Sequence, residues 1–223
     1  MNSYDALAYL YEETVDDVLH AIYIDIIQRY HKKGHLLEIG CGTGTIAREL
    51  VRCGIQVDAF DLSDAMIERA IAYNASEPSR VNFYKHDVRH PFKGSFDTIV
   101  MPVDVLNHLE SFDDVVLAFN HIHTALKHHG ILIFDLLHLD YMQGLIGYEE
   151  RIITDQIDMV WSVEATSKKE SIQHCIDYQG KRYTHTEQYY DEPDVLRCLK
   201  NYDLLERIDL DERSILILKK KEE

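Results

Sequence analysis

The chain has 223 residues, with 23 Lys plus Arg against 39 Asp plus Glu, and a formal net charge of −16 at pH 7. That balance argues against duplex nucleic acid or an anionic membrane surface as a partner and favours a small or cationic one. Length and a 46% hydrophobic content suit one α/β domain over residues 1–223 with a small elaboration, and not two domains.

The opening segment, MNSYDALAYLYEETVDD, is acidic and has no basic stretch ahead of an apolar run, so it is not read as a signal peptide. No apolar run approaches the roughly 18 residues of a membrane span. Cys41, Cys53, Cys175 and Cys198 form neither a CxxC pair nor a zinc spacing, which predicts reduced thiols in a cytoplasmic protein. The 13 histidines lack HxxxH pairs with an intervening glutamate, and no metal site is expected.

Tyr4, Tyr9 and Tyr11 read as an entry segment packing on a sheet. Val18, Leu19, Ile22, Ile26, Ile27 and Tyr30 then recur at helical spacing, and Lys32-Lys33-Gly34 supplies a basic end and a stop. The next stretch, HLLEIGCGTG from His35 to Gly44, carries most of the information. A short β-like run ends in Glu38, three alternate glycines (Gly40, Gly42, Gly44) follow, and a helical pattern begins at Thr45. Backbone must approach a ligand closely at such a strand-to-helix turn, and glycine tolerates that crowding. A dinucleotide fingerprint needs a glycine at position 45, where Thr45 stands, and Glu38 would repel a diphosphate but suits a cationic amino group. Cys41 reads as a small residue in a tight turn. Asp61, ending the apolar run from Ile55, suits a ribose diol.

Ser63 is placed to cap a helix whose apolar side is Met66, Ile67, Ala70 and Ile71. A third strand over 81–86 ends in Asp87-Val88, and a fourth covers 96–101. The segment PVDVLNHL, 102–109, follows at the carboxyl end of that strand, where open α/β sheets bind ligands, and offers Asp104, Asn107 and His108. Ser111 and Asp114 resemble a capping box opening a helix through Lys127, with His121, His123, His128 and His129 at its polar end and Gly130 as its stop. A fifth strand over 131–137 contains Asp135, placed at a pocket rim because a carboxylate is not buried without a partner. From Tyr141 the character changes. Period-two strands over 157–165 and 172–178, and a third running on from Lys181 to Tyr190, predict an inserted antiparallel sheet. A helix starting at Asp191-Glu192-Pro193 and a hairpin of 204–210 with 214–219 end the chain, leaving KKKEE as a disordered tail.

Glu38-Ile39-Gly40-Cys41-Gly42-Thr43-Gly44, with its strand, loop, helix and distal acid in order, resembles motif I of class I S-adenosylmethionine-dependent methyltransferases of the small bacterial type. The resemblance implies a doubly wound α/β fold, with a seven-stranded, mostly parallel sheet whose last strand is antiparallel, and a cover over the substrate formed by the insert at 141–190. It implies S-adenosyl-L-methionine as cofactor, held by Glu38, Gly40, Cys41, Gly42 and Gly44 of the loop and Asp61 at the ribose. Leu62 and Met66 would pack on the adenine, Asp87 and the Val88 N–H would read its edge, and Tyr9 and Tyr11 would wall the pocket. Asp104, Asn107 and His108 match a family segment beside the transferable methyl, with Val105 in place of its usual serine. His108 is then the first candidate for a base and Asp104 the second, while His185, Glu187 and Tyr190 contribute polar walls. The expected activity is methyl transfer to a small molecule. A cofactor-binding or partner-binding protein without catalysis, and a tRNA or protein methyltransferase, are the alternatives, and oligomeric state is open.

Overall fold

A computed structural model of the chain describes residues 17–75, 81–154 and 158–222; Tyr4, Tyr9 and Tyr11 lie outside them. Helix α1 (Asp17–Tyr30) leads into β1 (His35–Ile39), α2 (Thr45–Arg52), β2 (Gln56–Asp61), α3 (Asp64–Asn74), β3 (Asn82–Lys85) and β4 (Phe96–Met101). A 3-10 turn (Val105–His108), α4 (Phe112–Ala125), β5 (Leu126–Leu137) and α5 (Leu139–Gly144) follow. Strands β6 (Glu149–Ile153), β7 (Asp158–Ala165), β8 (Ser171–Tyr178) and β9 (Lys181–Gln188) precede α6 (Glu192–Cys198), β10 (Tyr202–Asp209) and β11 (Arg213–Lys220).

The main sheet has seven strands in the order β10-β11-β5-β4-β1-β2-β3. Pairings from β3 to β5 are parallel, and β11 runs antiparallel to both β5 and β10. Helices α1, α2 and α3 bury Ile26, Ile27, Leu50 and Ile67 on one face of the sheet. Helices α4 and α6 bury Val115, Phe119, Ile122 and Val195 on the other. Both faces being covered, the central strands need apolar residues on both sides, as in Thr98 to Met101, all buried. The caps are those the sequence supplies: Ser63 Oγ accepts the Met66 N–H at 3.3 Å, and Ser111 Oγ accepts the Asp114 N–H at 3.2 Å while donating to Asp114 Oδ2 at 2.8 Å.

A second sheet, β6-β7-β8-β9, is antiparallel throughout. Leu137, Met142, Val163 and Ile172 form the small core that joins it to the end of β5 and α5. Neither α5 nor β6 is signalled in the sequence, because each is short and lacks a clean apolar period.

Three expectations need correction. Helix α4 stops at Ala125 and not at Lys127: the β4–β5 register jumps from Leu126 to Ile131, with Lys127 to His129 exposed and His129 at φ 61°. The tail is not loose at its start, since Lys219 and Lys220 complete β11. Lys220 is buried and its Nζ donates to the carbonyls of His123 and Leu126 at 2.6 and 2.9 Å, closing the C-terminus of α4. Asp135 is not at a rim. It is wholly buried, and its partner is Arg213 on β11, whose Nη1 donates to Asp135 Oδ2 at 2.6 Å and also to Asp104.

Replacing Arg213 with Met leaves the buried Asp135 and the half-buried Asp104 carboxylates without their cation, and we expect a loss of ~3–5 kcal/mol in urea unfolding. A loss below the range of an exposed ion pair would show that Asp104 and Asp135 hold together without it.

Candidate active site

A cavity of about 600 Å³ opens at the carboxyl ends of β1, β2 and β4. Gly40, Asp61, Val88 and His108 come to it from the main sheet, and Thr184, His185 and Thr186 of β9 close it from the second sheet. The position follows from topology, since strand order reverses between β1 and β4 and the loops there diverge.

The glycine loop is fixed by its neighbours. The N–H groups of Gly40 and Cys41 both donate to the Phe60 carbonyl, at 2.8 and 3.0 Å. Gly40 has φ 71°, and a Cβ there would lie 2.4 Å from a Val105 methyl, so the loop and the 3-10 turn touch across the cavity floor. Asp61 accepts the Gly42 N–H and the Ser63 N–H on its two oxygens, each at 2.9 Å. Burial pushes its carboxyl up, and those backbone donors oppose the shift. Glu38 lies behind the loop at 2% exposure, and burial raises its pKa to about 8. Its Oε2 has no hydrogen-bond partner. A buried carboxylate oxygen without a donor, next to a glycine turn, fits a ligand that brings a cationic N–H donor.

Farther along the cavity, Phe60 and His86 meet edge to face at 5.2 Å, and His86 meets Phe92 at 5.9 Å. Both Phe60 and His86 line the cavity, as do Leu62, which is 48% exposed, and the buried Met66. Asp87 and Val88 are there too, but the Asp87 carboxylate is gripped by Arg89, with Nε and Nη2 at 3.1 and 2.8 Å from Oδ2. That guanidinium holds the acid below the usual carboxylate range against its burial.

The opposite wall is polar. His108 Nε2 stands 4.0 Å from Glu187 Oε1, and His174 Nε2 stands 3.3 Å from Glu187 Oε2, within ion-pair distance though off the hydrogen-bond direction. His174 stacks on His185 at 4.8 Å and 7°, and its Nδ1 accepts the Trp161 indole N–H at 3.1 Å. That bond requires a bare Nδ1 and so places the proton of a neutral His174 on Nε2, facing Glu187. Burial pushes His108 below its ordinary value and His185 down to about 3. Glu187 falls to about 2 because His174 and then His108 outweigh its burial. At neutral pH the cluster is a carboxylate beside neutral His108 and His185.

Several predicted site residues are placed elsewhere. Glu38, Cys41 and Gly44 do not line the main cavity itself: Glu38 and Cys41 line a small pocket that shares Gly40 and Val103 with it, and Gly44 packs on Phe83. Asn107 is fully buried, donating to the Gln188 carbonyl at 2.8 Å and accepting the Leu137 N–H at 3.3 Å. It ties the 3-10 turn to β5 and the end of β9 and does not line the cavity. Asp104 is not at the cavity either, since Arg213 holds its carboxylate, which burial pushes well up. Tyr190 sits in the core under α4 and α6, its hydroxyl donating to the Leu109 carbonyl. Tyr11 lies outside the described residues. The aromatic wall of Phe60, His86 and Phe92, the Arg89 grip and the role of His174 were not foreseen from sequence.

Glu38 has a raised folded-state pKa, so it weakens the fold as pH rises from about 4.5 to about 8. Glu38→Gln is therefore expected to flatten the loss of stability across that window in denaturant titrations at stepped pH. An unchanged slope would mean the carboxyl titrates normally.

A model of the family described as "Methyltransferase domain" matches residues 36–130. The putative methyltransferase YqeM of Bacillus subtilis is 30% identical over 183 residues, 76% of this chain and 73% of that protein. A putative methyltransferase of a Geobacillus species is 28% identical over 201 residues, 83% of this chain and 80% of its own length. Among solved structures, an S-adenosylmethionine-dependent methyltransferase from Clostridium acetobutylicum superposes with a TM-score of 0.81 at 22% identity, covering 99% of this chain and 100% of that one. With the sheet order, the glycine loop and the acid-lined cavity in place, the chain belongs to the methyltransferase family.

Proposed function

We propose that this methyltransferase acts on a small-molecule acceptor seated between the cofactor loops and β9. The observation that carries the reading is the polar wall of His108, His185 and Glu187, enclosed under the second sheet across the cavity from Asp61 and Gly40. An aqueous cavity of about 600 Å³ suits a cofactor with a modest acceptor, and the strongly acidic chain offers little to a polynucleotide. In this reading residues 141–190 serve as the substrate cover of a single domain. The four cysteines are unpaired thiols, which fits a reducing, cytoplasmic setting. No helix among the described residues is long and apolar enough to cross a membrane.

S-adenosylmethionine supplies a methyl group on a sulfonium leaving group, so departure needs no acid from the protein. The chain's task is to hold, align and desolvate the two partners. Glu38 would take the amino group, Asp61 the ribose diol, and Phe60, Leu62 and Met66 the faces of the base. Asp87, which lines the same cavity, would take the adenine amino group alongside its bonds to Arg89. His108, kept neutral by burial, accepts the acceptor's proton at Nε2, and the Glu187 carboxylate stabilises the imidazolium that results.

Asp61→Ala is expected to weaken S-adenosylmethionine about 10–100-fold in isothermal titration, as for lost hydrogen bonds to a charged group. Equal affinity would remove Asp61 from the ribose role. His108→Ala should lower kcat by about 10²–10⁴ with cofactor affinity unchanged; a rise in KM alone would make it a binding group. Because the base form of His108 persists below the ordinary imidazole value of 6.5, the acid limb of kcat/KM should fall below that pH. A labelled-methyl screen against small metabolites and, in parallel, bulk tRNA and protein tests the acceptor class, and label appearing only in macromolecules would overturn it.

A further inference from the structure

The acceptor wall contains an arrangement that methyl transfer from a sulfonium does not call for. One ligand-capable atom from each of His108, His185 and Glu187 lies within 4.8 Å of the others. Two imidazoles and one carboxylate form a donor set that borderline divalent ions favour, with open positions left for water or substrate. The three come from two elements, His108 from the 3-10 turn and the other two from β9 at alternate positions facing the same side. Ligand atoms on one tetrahedral zinc ion stand about 3.3 Å apart, so closing the triad asks for side-chain rotation of roughly 1–1.5 Å. The surroundings are those of a supported ligand. Glu187 divides its oxygens, Oε2 toward His174 and Oε1 toward His108. His174 is itself held by Trp161 through Nδ1 and by stacking on His185. Outer partners of this kind fix a ligating carboxylate's orientation.

We propose that His108, His185 and Glu187 bind a divalent ion of the zinc class at the acceptor side of the cavity. Two neutral imidazoles and one carboxylate leave a bound M²⁺ with one net positive charge. Since His108 and His185 line the cavity while Glu187 stands behind them, the open positions face the acceptor. An oxygen, sulfur or nitrogen donor of the acceptor completes the shell there. With the ion bound, His108 holds metal instead of a proton, and the ion lowers the pKa of a coordinated hydroxyl or thiol directly. The inference rests on the proposed acceptor side only for what the ion touches.

Protein stripped with EDTA and titrated with Co²⁺, without cofactor or acceptor, tests it. We expect a visible absorption band saturating at one equivalent and competed away by Zn²⁺. Emission of Trp161, the one tryptophan in the sequence, should be quenched in step, because its indole bonds the imidazole that faces Glu187. His185→Ala and Glu187→Gln should abolish the band, His174→Ala should weaken binding about 10–100-fold, and His129→Ala, on a distant surface, should change nothing. Circular dichroism and S-adenosylmethionine titration show which variants remain folded. No stoichiometric band, or a band that survives in folded His185→Ala and Glu187→Gln, overturns the site. Because the readout needs no turnover, its failure leaves the methyl-transfer reading intact.

Discussion

One buried guanidinium fixes the turn that carries His108 into the cavity. Arg213 reaches from β11 to both Asp104 and Asp135, and the Asp104 N–H in turn donates to both oxygens of Asp135 at 3.2 Å. Between β4 and the 3-10 turn, Val103 and Asp104 both take left-handed conformations, at φ 57° and 63°. A β-branched residue does not rest there without compensation. The charge-assisted bonds supply it, and they aim the next turn so that Asn107 is locked between β5 and β9 and His108 faces the cavity. Burial of an ion triad is a weak route to stability, but a strong way of allowing only one geometry once the charges are inside.

The two halves of the site are built differently. The half proposed for the cofactor comes from successive strand ends and the loops directly after them: Gly40 to Gly42, Asp61 and Leu62, Asp87 and Val88. Each is positioned by local turns and caps, with the Phe60 carbonyl and the Asp61 carboxylate serving as backbone anchors. The acceptor half is assembled over distance, from the 3-10 turn, β7, β8 and β9, with side chains of the second sheet standing over the carboxyl edge of the first. Under the proposed reading, such a division would let one cofactor platform serve different acceptors through changes in the second sheet, since function resides in the grafted site and not in the fold.

This division also explains what could be read in the sequence. Local signals were legible: the glycine spacing, the Ser63 and Ser111 caps, the two-residue period of β7 and β8, the acid after β2. The cofactor and the seven-stranded sheet follow from those. Long-range pairings were not. Nothing near Asp104 or Asp135 says that Arg213 will meet them, so the local sequence suggests a base for one and a rim acid for the other. Asn107 and Tyr190 likewise carry polar groups of the kind expected in a site, yet backbone carbonyls on other elements occupy them. The family resemblance assigns His108, His185 and Glu187 to the acceptor side, but their convergence on one point is not legible: His108 and His185 are neighbours only because β9 folds back over the 3-10 turn, and no metal spacing along the chain announces it.

The placement of Arg213 bears on the order in which the molecule is made. Its two acidic partners stand 109 and 78 positions earlier in the chain, and β11 slots between β5 and β10, not at the sheet's edge. During synthesis the strand ends of β1 to β4 emerge long before Arg213, while the turn carrying His108 must wait for β11, the last strand described, to be anchored. A nascent chain would thus acquire its capacity to hold the methyl donor before its capacity to deliver the methyl, and activity would mark a fully assembled sheet.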